Sequence, residues 1–205
     1  MSFIYTQSFV DSGLTYAEYK QHIEKTIAAP PVDEASAKLL PRMQENLYFM
    51  KLYDKLYSLS ESCKNAVNEC PPATWVVITE GWCTDAAFTV PMMAAIADAV
   101  PEKVTLRIFL RDLNPDLIDA NLTDGGRSIP KLIILDSELQ EMAKWGPRPA
   151  ALQARVTAWK EEGLSMHLVI PKLQVWYDTD LSASFQQEIE MVLTAVSELH
   201  AVLQD

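Results

Sequence analysis

One cysteine stands where the chain is arranged for nucleophilic chemistry. Cys83 follows the apolar, β-branched run TWVVIT (74–79) and the pair Gly81–Trp82, and it precedes a helical segment that contains Pro91. This order predicts a buried strand, a turn and a helix that begins at the cysteine. Free N–H groups and the dipole at a helix N-terminus stabilise an anion. The spacing therefore predicts a thiolate, the form of cysteine that attacks disulfides.

The neighbours of Cys83 adjust this chemistry. Trp82 supplies an apolar surface beside the thiol, on which a peptide or a thiol substrate would lie. Asp85 falls in the first turn of the helix, where its carboxylate competes with the thiolate for the same positive field. We therefore expect the pKa of Cys83 to be lowered, but by less than in a dithiol enzyme, because position 86 is Ala and offers no second thiol.

Residues 74 to 162 resemble the thioredoxin-like superfamily. The sequence GWCTDA (81–86) stands where the active-site turn of that superfamily belongs, and Pro91 has the spacing of its helix kink. The segment SIPKL (128–132) is similar to the loop that faces the reactive cysteine, and Gly146 is similar to the glycine near the substrate groove. The whole chain looks like the single-cysteine group with a WCxDA site.

The resemblance implies an α/β, thioredoxin-like fold, in which a central mixed sheet is flanked by helices. It also implies that the Ile129–Pro130 bond is cis and that Cys83 is the catalytic residue. The candidate substrate-binding residues are Trp82, Asp85, Arg127, Ile129, Pro130, Gly146 and Arg148.

Two departures from the family pattern bear on function. Ala86 replaces the resolving cysteine, and Val77 stands where many thioredoxins carry a buried acid six residues before the nucleophile. Both changes remove the intramolecular dithiol step. Attack on a disulfide would then stop at the mixed disulfide until an external thiol arrives.

The other two cysteines do not replace the missing thiol. Cys70 precedes the strand whose far end leads to Cys83, which places the two roughly 20 Å apart. A helix running back along that strand lifts Cys63 by about 10 Å, still beyond the ~7 Å between Cα atoms that a disulfide tolerates. Both are predicted to be structural thiols. Three sparse cysteines indicate a reducing compartment, and cytoplasm is the expected location.

Two arginines lie near the predicted site. Arg127 precedes the Pro130 loop, and Arg148 follows Gly146. Either is placed to hold a carboxylate of a small thiol such as glutathione, or to pair with Asp85. The alternative, that each is a solvated loop residue or part of a structural ion pair, is equally consistent with the sequence.

The elements that position these residues can be predicted from periodicity. Thr15 and Glu18 have capping-box spacing, residues 28–36 are interpreted as a linker, and Pro71–Pro72 end the second helical region. The predicted helices span 15–28, about 41 to 70, 83–100, 114–122 and 149–162, and the strands span 74–79, 103–110, 131–136 and 139–145.

Residues 164–205 are additional to that core. The stretch HLVIPKLQVWY (167–177) is interpreted as extended segments interrupted by Pro171, and a helix follows from about Ser182. Its apolar stripe either packs on the domain's own core, the favoured alternative, or forms the seam of a homodimer. We expect residues 1–72 to be an N-terminal helical extension packed on the core, 73–163 the thioredoxin-like core, and 164–205 a C-terminal extension. The stripe consists of Phe185, Ile189, Val192, Val196, Leu199 and Leu203.

Composition excludes several function classes. The 205 residues carry a formal charge of −11, which disfavours nucleic acid and anionic membranes as partners. The sequence contains no long apolar run and no signal-peptide pattern at its start. The three histidines, His22, His167 and His200, are scattered, so neither a metal site nor a bound cofactor is expected beyond an external low-molecular-weight thiol.

Three functions remain. The favoured hypothesis is a monothiol thiol–disulfide oxidoreductase or thiol carrier in cell redox homeostasis, with a protein disulfide or a thiol as substrate. The second is a binding module that keeps the groove of Trp82, Pro130 and Gly146 without turnover. The third is a redox sensor in which Cys83 forms a sulfenic acid or an intermolecular disulfide. Trp82 and Cys83 favour the first and third, whereas Ala86 and Val77 favour the second.

Overall fold

The computed structural model describes residues 3–204 of the 205-residue chain, and side chains as far as residue 201. The chain begins with helices α1 (Gln7–Asp11), α2 (Tyr16–Ala28), α3 (Glu34–Leu56) and α4 (Glu61–Glu69). The predicted capping box opens α2, because the Thr15 hydroxyl accepts from the Glu18 N–H and the Glu18 carboxylate accepts from the Thr15 N–H.

Helix α3 corrects two sequence predictions. It begins at Glu34 rather than near Pro41, because Asp33 accepts a hydrogen bond from the Ser36 N–H at 2.7 Å and starts the helix inside the predicted linker. It also ends at Leu56 rather than continuing towards Cys70. The hydroxyl of Ser60 accepts from the Cys63 N–H and starts α4 as a separate helix.

A four-stranded mixed sheet forms the centre of the fold, in the order β2-β1-β3-β4. Strand β1 (Ala73–Thr79) is followed by helix α5 (Thr84–Ala99), which crosses over to the parallel strand β2 (Val104–Leu110). Strand β3 (Lys131–Leu135) is antiparallel to both β1 and β4 (Glu141–Trp145). The side chains of β3 are all buried, as its apolar run LIIL (132–135) predicts for a central strand.

Helical elements follow two of the strands. A 3-10 turn (Arg111–Leu113) and helix α6 (Pro115–Asp119) follow β2, and helix α7 (Ala150–Glu161) follows β4. Helix α6 is shorter than the predicted 114–122, because the N–H of Ala120 and then of Asn121 turn back onto α6 carbonyls and end it.

The C-terminal extension is helical throughout its described part. Helix α8 (Met166–Asp180) replaces the predicted extended segments and contains Pro171 near its beginning. The missing Pro171 N–H costs one helical hydrogen bond, but the buried face of α8 outweighs that cost by packing against α5 and α7. That face consists of Val169, Ile170, Leu173 and Tyr177.

Helix α9 (Ala183–Gln204) packs against α4 and β4. Phe185, Ile189 and Val196 are buried within the chain, Val192 is half-buried, and Leu199 is exposed. The side chain of Leu203, the last member of the predicted stripe, lies outside the described residues. Most of the described stripe is thus covered by the chain's own core, which is the favoured of the two alternatives. Within residues 3–204, no helix combines the length and the apolarity that a bilayer crossing requires.

Candidate functional site

Cys83 is the N-cap residue of α5 and lies at the end of the turn that follows β1. Its thiol donates a hydrogen bond to the carbonyl oxygen of Ile129, with Sγ and O 3.2 Å apart. The turn packs closely against the N-terminal extension, since a Cβ at Gly81 would lie 2.9 Å from Cγ1 of Ile23. Asn46 of α3 also donates to the Gly81 carbonyl at 2.9 Å. Helices α2 and α3 therefore hold the turn that presents the thiol.

The loop opposite Cys83 contains the Ile129–Pro130 bond, which is cis, as is Gly146–Pro147. Gly146 has φ +115° and packs against Pro130, so a Cβ there would lie 2.3 Å from the Pro130 carbonyl oxygen. Only glycine combines this backbone conformation with so close an approach. The structure thus brings Cys83, the Ile129–Pro130 loop and Gly146 together at one end of the sheet.

A pocket of about 240 Å³ opens beside the thiol. Gly146 lines an adjacent cleft rather than this pocket, and Arg148 lines both. The N-terminal extension contributes Arg42, and α8 contributes Met166, Ile170 and Leu173. The predicted site residues that line the pocket are Trp82, Cys83, Asp85, Arg127, Ile129 and Arg148.

Asp85 is the centre of a buried polar cluster. Its carboxylate accepts two hydrogen bonds from Arg148, from Nε at 3.1 Å and from Nη2 at 2.6 Å, and a third from the Tyr177 hydroxyl at 2.9 Å. Only 4% of Asp85 is exposed. The Tyr177 ring stacks on Phe88 of α5, with centroids 4.5 Å apart. Of the roles predicted for Arg148, the structure shows pairing with Asp85.

The remaining predicted arginine, Arg127, makes a different ion pair. Its guanidinium donates two hydrogen bonds to Asp119 of α6, each of 2.6 Å, and both side chains are about half exposed. Beside it, Arg111 lies over the ring of Trp82, with its guanidinium carbon 4.7 Å from the ring centroid. The apolar surface predicted for a substrate is therefore covered in part by a guanidinium.

The protonation state of Cys83 differs from the sequence prediction. Burial and, after it, the nearby Asp85 carboxylate raise the pKa of its thiol to about 12, although the N–H of Ala86 and the charge of Arg148 oppose both effects. Cys83 is 7% exposed, and no pattern in the sequence around it predicts that burial. The expectation of a lowered pKa was therefore wrong for this buried thiol, because loss of solvation outweighs the effect of the helix N-terminus.

Cys63 and Cys70 are free, buried thiols, as is Cys83. Burial also raises the pKa of each to about 11. Neither lines the pocket at Cys83.

Sequence reasoning missed three residues of the site. Asn46 carried a signal, because it is a polar residue within an apolar helical stripe and is fully buried. Tyr177 was hidden by the wrong prediction that its segment is extended. Arg42 carried no local signal, since only the packing of α3 on α5 brings it to the pocket.

Comparison with known proteins supports the fold and the family. The crystal structure of a protein of unknown function from Pseudomonas aeruginosa is 15% identical, with a TM-score of 0.59 over 96% of this chain and 99% of that chain. An HIV epitope-scaffold is 14% identical, with a TM-score of 0.54 over 97% of this chain and 98% of that chain. Such identities show the fold alone, and no curated protein matches the sequence. The sequence model of one family, Thioredoxin, matches residues 33–160, more than half of the chain. This protein therefore belongs to the thioredoxin family, and the predicted thioredoxin-like fold is confirmed.

Proposed function

We propose that this protein exchanges thiols and disulfides through one cysteine, Cys83. The observation that carries the proposal is the position of its sulfur, at the N-terminus of α5, against the carbonyl before cis-Pro130 and at the wall of a pocket. Cys63 and Cys70 are buried elsewhere and serve as structural thiols. The three free cysteines suit a reducing compartment such as the cytoplasm, which supplies external thiols.

The reaction needs two partners from outside the chain. The Cys83 thiolate attacks one sulfur of a disulfide, the S–S bond breaks, and the other sulfur leaves as a thiolate that takes up a proton. The product is a mixed disulfide on Cys83. Because Ala86 offers no resolving thiol, an external thiol attacks the mixed disulfide, releases the Cys83 thiolate and leaves as a new disulfide. One sulfur of the substrate is thereby released as a thiol, and the other ends in a mixed disulfide with the external thiol. A second external thiol completes the reduction by attacking that mixed disulfide, which releases the second substrate thiol and joins the two external thiols in a disulfide.

The resting site slows this reaction at neutral pH. With a pKa of about 12, the Cys83 thiol stays protonated well above pH 7. As long as the pH is below that pKa, each increase of one pH unit raises the thiolate fraction, and with it the reactivity, about tenfold. Rehydration of the sulfur would lower its pKa, because burial is the largest cause of the raised value, and Ile170 and Leu173 of α8 are among the apolar side chains that line the pocket beside it. Exchange is therefore expected to be faster in any state in which water reaches the sulfur.

The test is adduct formation. The folded wild-type protein is incubated with excess hydroxyethyl disulfide, and each cysteine is followed by peptide mass spectrometry. We expect a mixed disulfide on Cys83 that an added thiol removes. The variant Cys83→Ser should lose all catalysis of the exchange between the disulfide and the added thiol, whereas the matched variants Cys63→Ser and Cys70→Ser should keep it. If Cys83→Ser catalyses this exchange as fast as the wild type, the proposal is wrong.

A second candidate, a binding module without turnover, is favoured by one observation. The Cys83 thiol is almost fully buried and donates its hydrogen bond within the protein. In that case Cys83 stays unmodified by the disulfide until the chain unfolds, while the pocket still binds its ligand.

A further inference from the structure

The charge of the Cys83 pocket is opposite to that of the whole protein. The chain has a formal charge of −11 and contains six arginines. Four of the six line this one pocket, against a single carboxylate, that of Asp85. Since a concave site lined by one sign of charge concentrates ligands of the other sign, the pocket favours an anion. The four are Arg42, Arg111, Arg127 and Arg148.

The four arginines differ in how firmly they are held. Arg148 is bound within the buried cluster of Asp85, so it is not free to bind a ligand. Arg127 and Arg111 pair with Asp119 and Asp112, carboxylates that are about half exposed, and such pairs exchange readily with solvent or with another anion.

Arg42 is the exception among them. It lies on α3, is half-buried, and makes no hydrogen bond or ion pair with any residue in the described part of the chain. A guanidinium that loses solvent without gaining a partner is unfavourable, and a bound carboxylate would remove that cost by accepting two of its hydrogen bonds.

The shape of the pocket limits the size of the ligand. Its volume of about 240 Å³ lies just below the ~300 Å³ at which pockets for drug-sized molecules begin. Met166, Ile170 and Leu173 of α8 add apolar side chains to the same lining as the arginines. A small molecule with a short apolar middle and charged ends matches this mixed lining.

We infer that this pocket selects a low-molecular-weight disulfide or thiol that carries carboxylates, with Arg42 as the residue that binds the carboxylate. The sulfur chemistry rests on the proposed function, but the preference for an anion rests only on the lining of the pocket. The N-terminal extension contributes Arg42 to the lining, and the C-terminal extension contributes the apolar side chains of α8.

Three disulfides with the same ethylene skeleton test the charge preference: the dianion dithiodipropionate, the neutral hydroxyethyl disulfide and the dication cystamine. Binding to the Cys83→Ser protein is measured by isothermal titration calorimetry, so that no covalent exchange contributes. We expect the dianion to bind at least tenfold more tightly than the neutral compound, and cystamine to bind most weakly. Added salt should weaken only the binding of the dianion.

Variants identify the residue responsible. In the same Cys83→Ser background, Arg42→Gln should weaken dianion binding about tenfold, equivalent to about 1.4 kcal/mol, and leave the neutral compound unaffected. Arg42→Lys should recover part of the loss, since it keeps the charge but not the fork of donors. The matched control is Arg155→Gln, an exposed arginine of α7 outside the pocket, which should change nothing.

The outcomes separate this inference from the proposed function. Selective dianion binding without any mixed disulfide on wild-type Cys83 rejects the exchange function and keeps the anion site. Mixed disulfides that form equally fast with all three compounds, together with equal binding, keep the exchange function and overturn the inference. Absence of dianion binding, or an Arg42→Gln variant that binds the dianion as tightly as its parent, also overturns it.

Discussion

Two arginine–aspartate pairs flank the Cys83 pocket with the same atoms in contact but in different surroundings. In both, Nε donates to Oδ1 and Nη2 donates to Oδ2. The side chains of Arg127 and Asp119 are 52% and 49% exposed, whereas those of Arg148 and Asp85 are 14% and 6% exposed. Matching hydrogen-bond geometry therefore does not mean matching energy, because water screens the first pair and is excluded from the second.

The difference in exposure gives the two arginines different roles at the pocket. The exposed pair can give up Arg127 to an incoming anion at little cost, whereas separating the buried pair would leave two charges without solvent or partner. Arg148 is thus a positioning residue that fixes Asp85 beside Cys83, and Tyr177 ties the same carboxylate to α8.

The largest expected effect comes from breaking the buried pair. Asp85→Ala leaves the Arg148 charge and the Tyr177 hydroxyl in a dry site without their acceptor. We expect a loss of about 3–5 kcal/mol in the free energy of unfolding, measured by urea denaturation.

Two variants control this experiment. Asp119→Ala removes the acceptor of the exposed pair and should leave the urea midpoint nearly unchanged. Tyr177→Phe keeps the stack on Phe88 and deletes one hydrogen bond to Asp85, so its loss should be smaller, about 1–3 kcal/mol. Equal losses from Asp85→Ala and Asp119→Ala would contradict the assigned difference between the pairs.

A change of intermediate size is expected at the thiol. The Asp85 carboxylate raises the pKa of Cys83, so Asp85→Asn removes a negative charge and lowers that pKa from about 12. At a fixed pH of about 8 the thiolate fraction rises, and alkylation of Cys83 becomes faster. The rate is read as a function of pH by mass spectrometry of the alkylated peptide.

The other cysteines calibrate that measurement in the same protein. Burial raises the pKa of Cys63 and Cys70 to about 11, and neither contacts Asp85, so their alkylation should follow the same pH dependence in the wild type and in Asp85→Asn. Asp119→Asn should leave all three rates unchanged. A Cys83 profile that is identical in the wild type and Asp85→Asn would show that burial alone sets the pKa.

The smallest effect concerns the exposed pair and salt. Hydrogen bonding to Arg127, and then its charge, hold the pKa of Asp119 below its usual value. In 1 M salt the Debye length falls to about 3 Å, so the part due to charge is screened and the pKa should rise slightly. An NMR titration of the Asp119 carboxyl carbon at low and high salt measures the shift. Arg127→Gln should abolish the salt dependence, and a full salt response in that variant would contradict the pairing.

Sequence patterns predicted most of the core elements but not helix α8 of the C-terminal extension. The capping box at Thr15, the strand before Cys83 and the helix after it are set by neighbours within four residues, so local rules suffice. Helix α8 was predicted as extended segments because Pro171 interrupts it. Its helical state depends on burying one face against α5 and α7, which is information that lies elsewhere in the chain.

The sequence by itself determined the thioredoxin-like order of elements, the place of Cys83 at a helix N-terminus and the absence of a resolving thiol at Ala86. These follow from residue types at short spacings. Only the tertiary structure decided the state of that thiol and the charge of its pocket. Arg148 and Tyr177 contact Asp85 from 63 and 92 residues away along the chain, and Arg42 reaches the pocket from the N-terminal extension. Solvent exclusion and charge are sums over such distant neighbours, so no local pattern around Cys83 contains them.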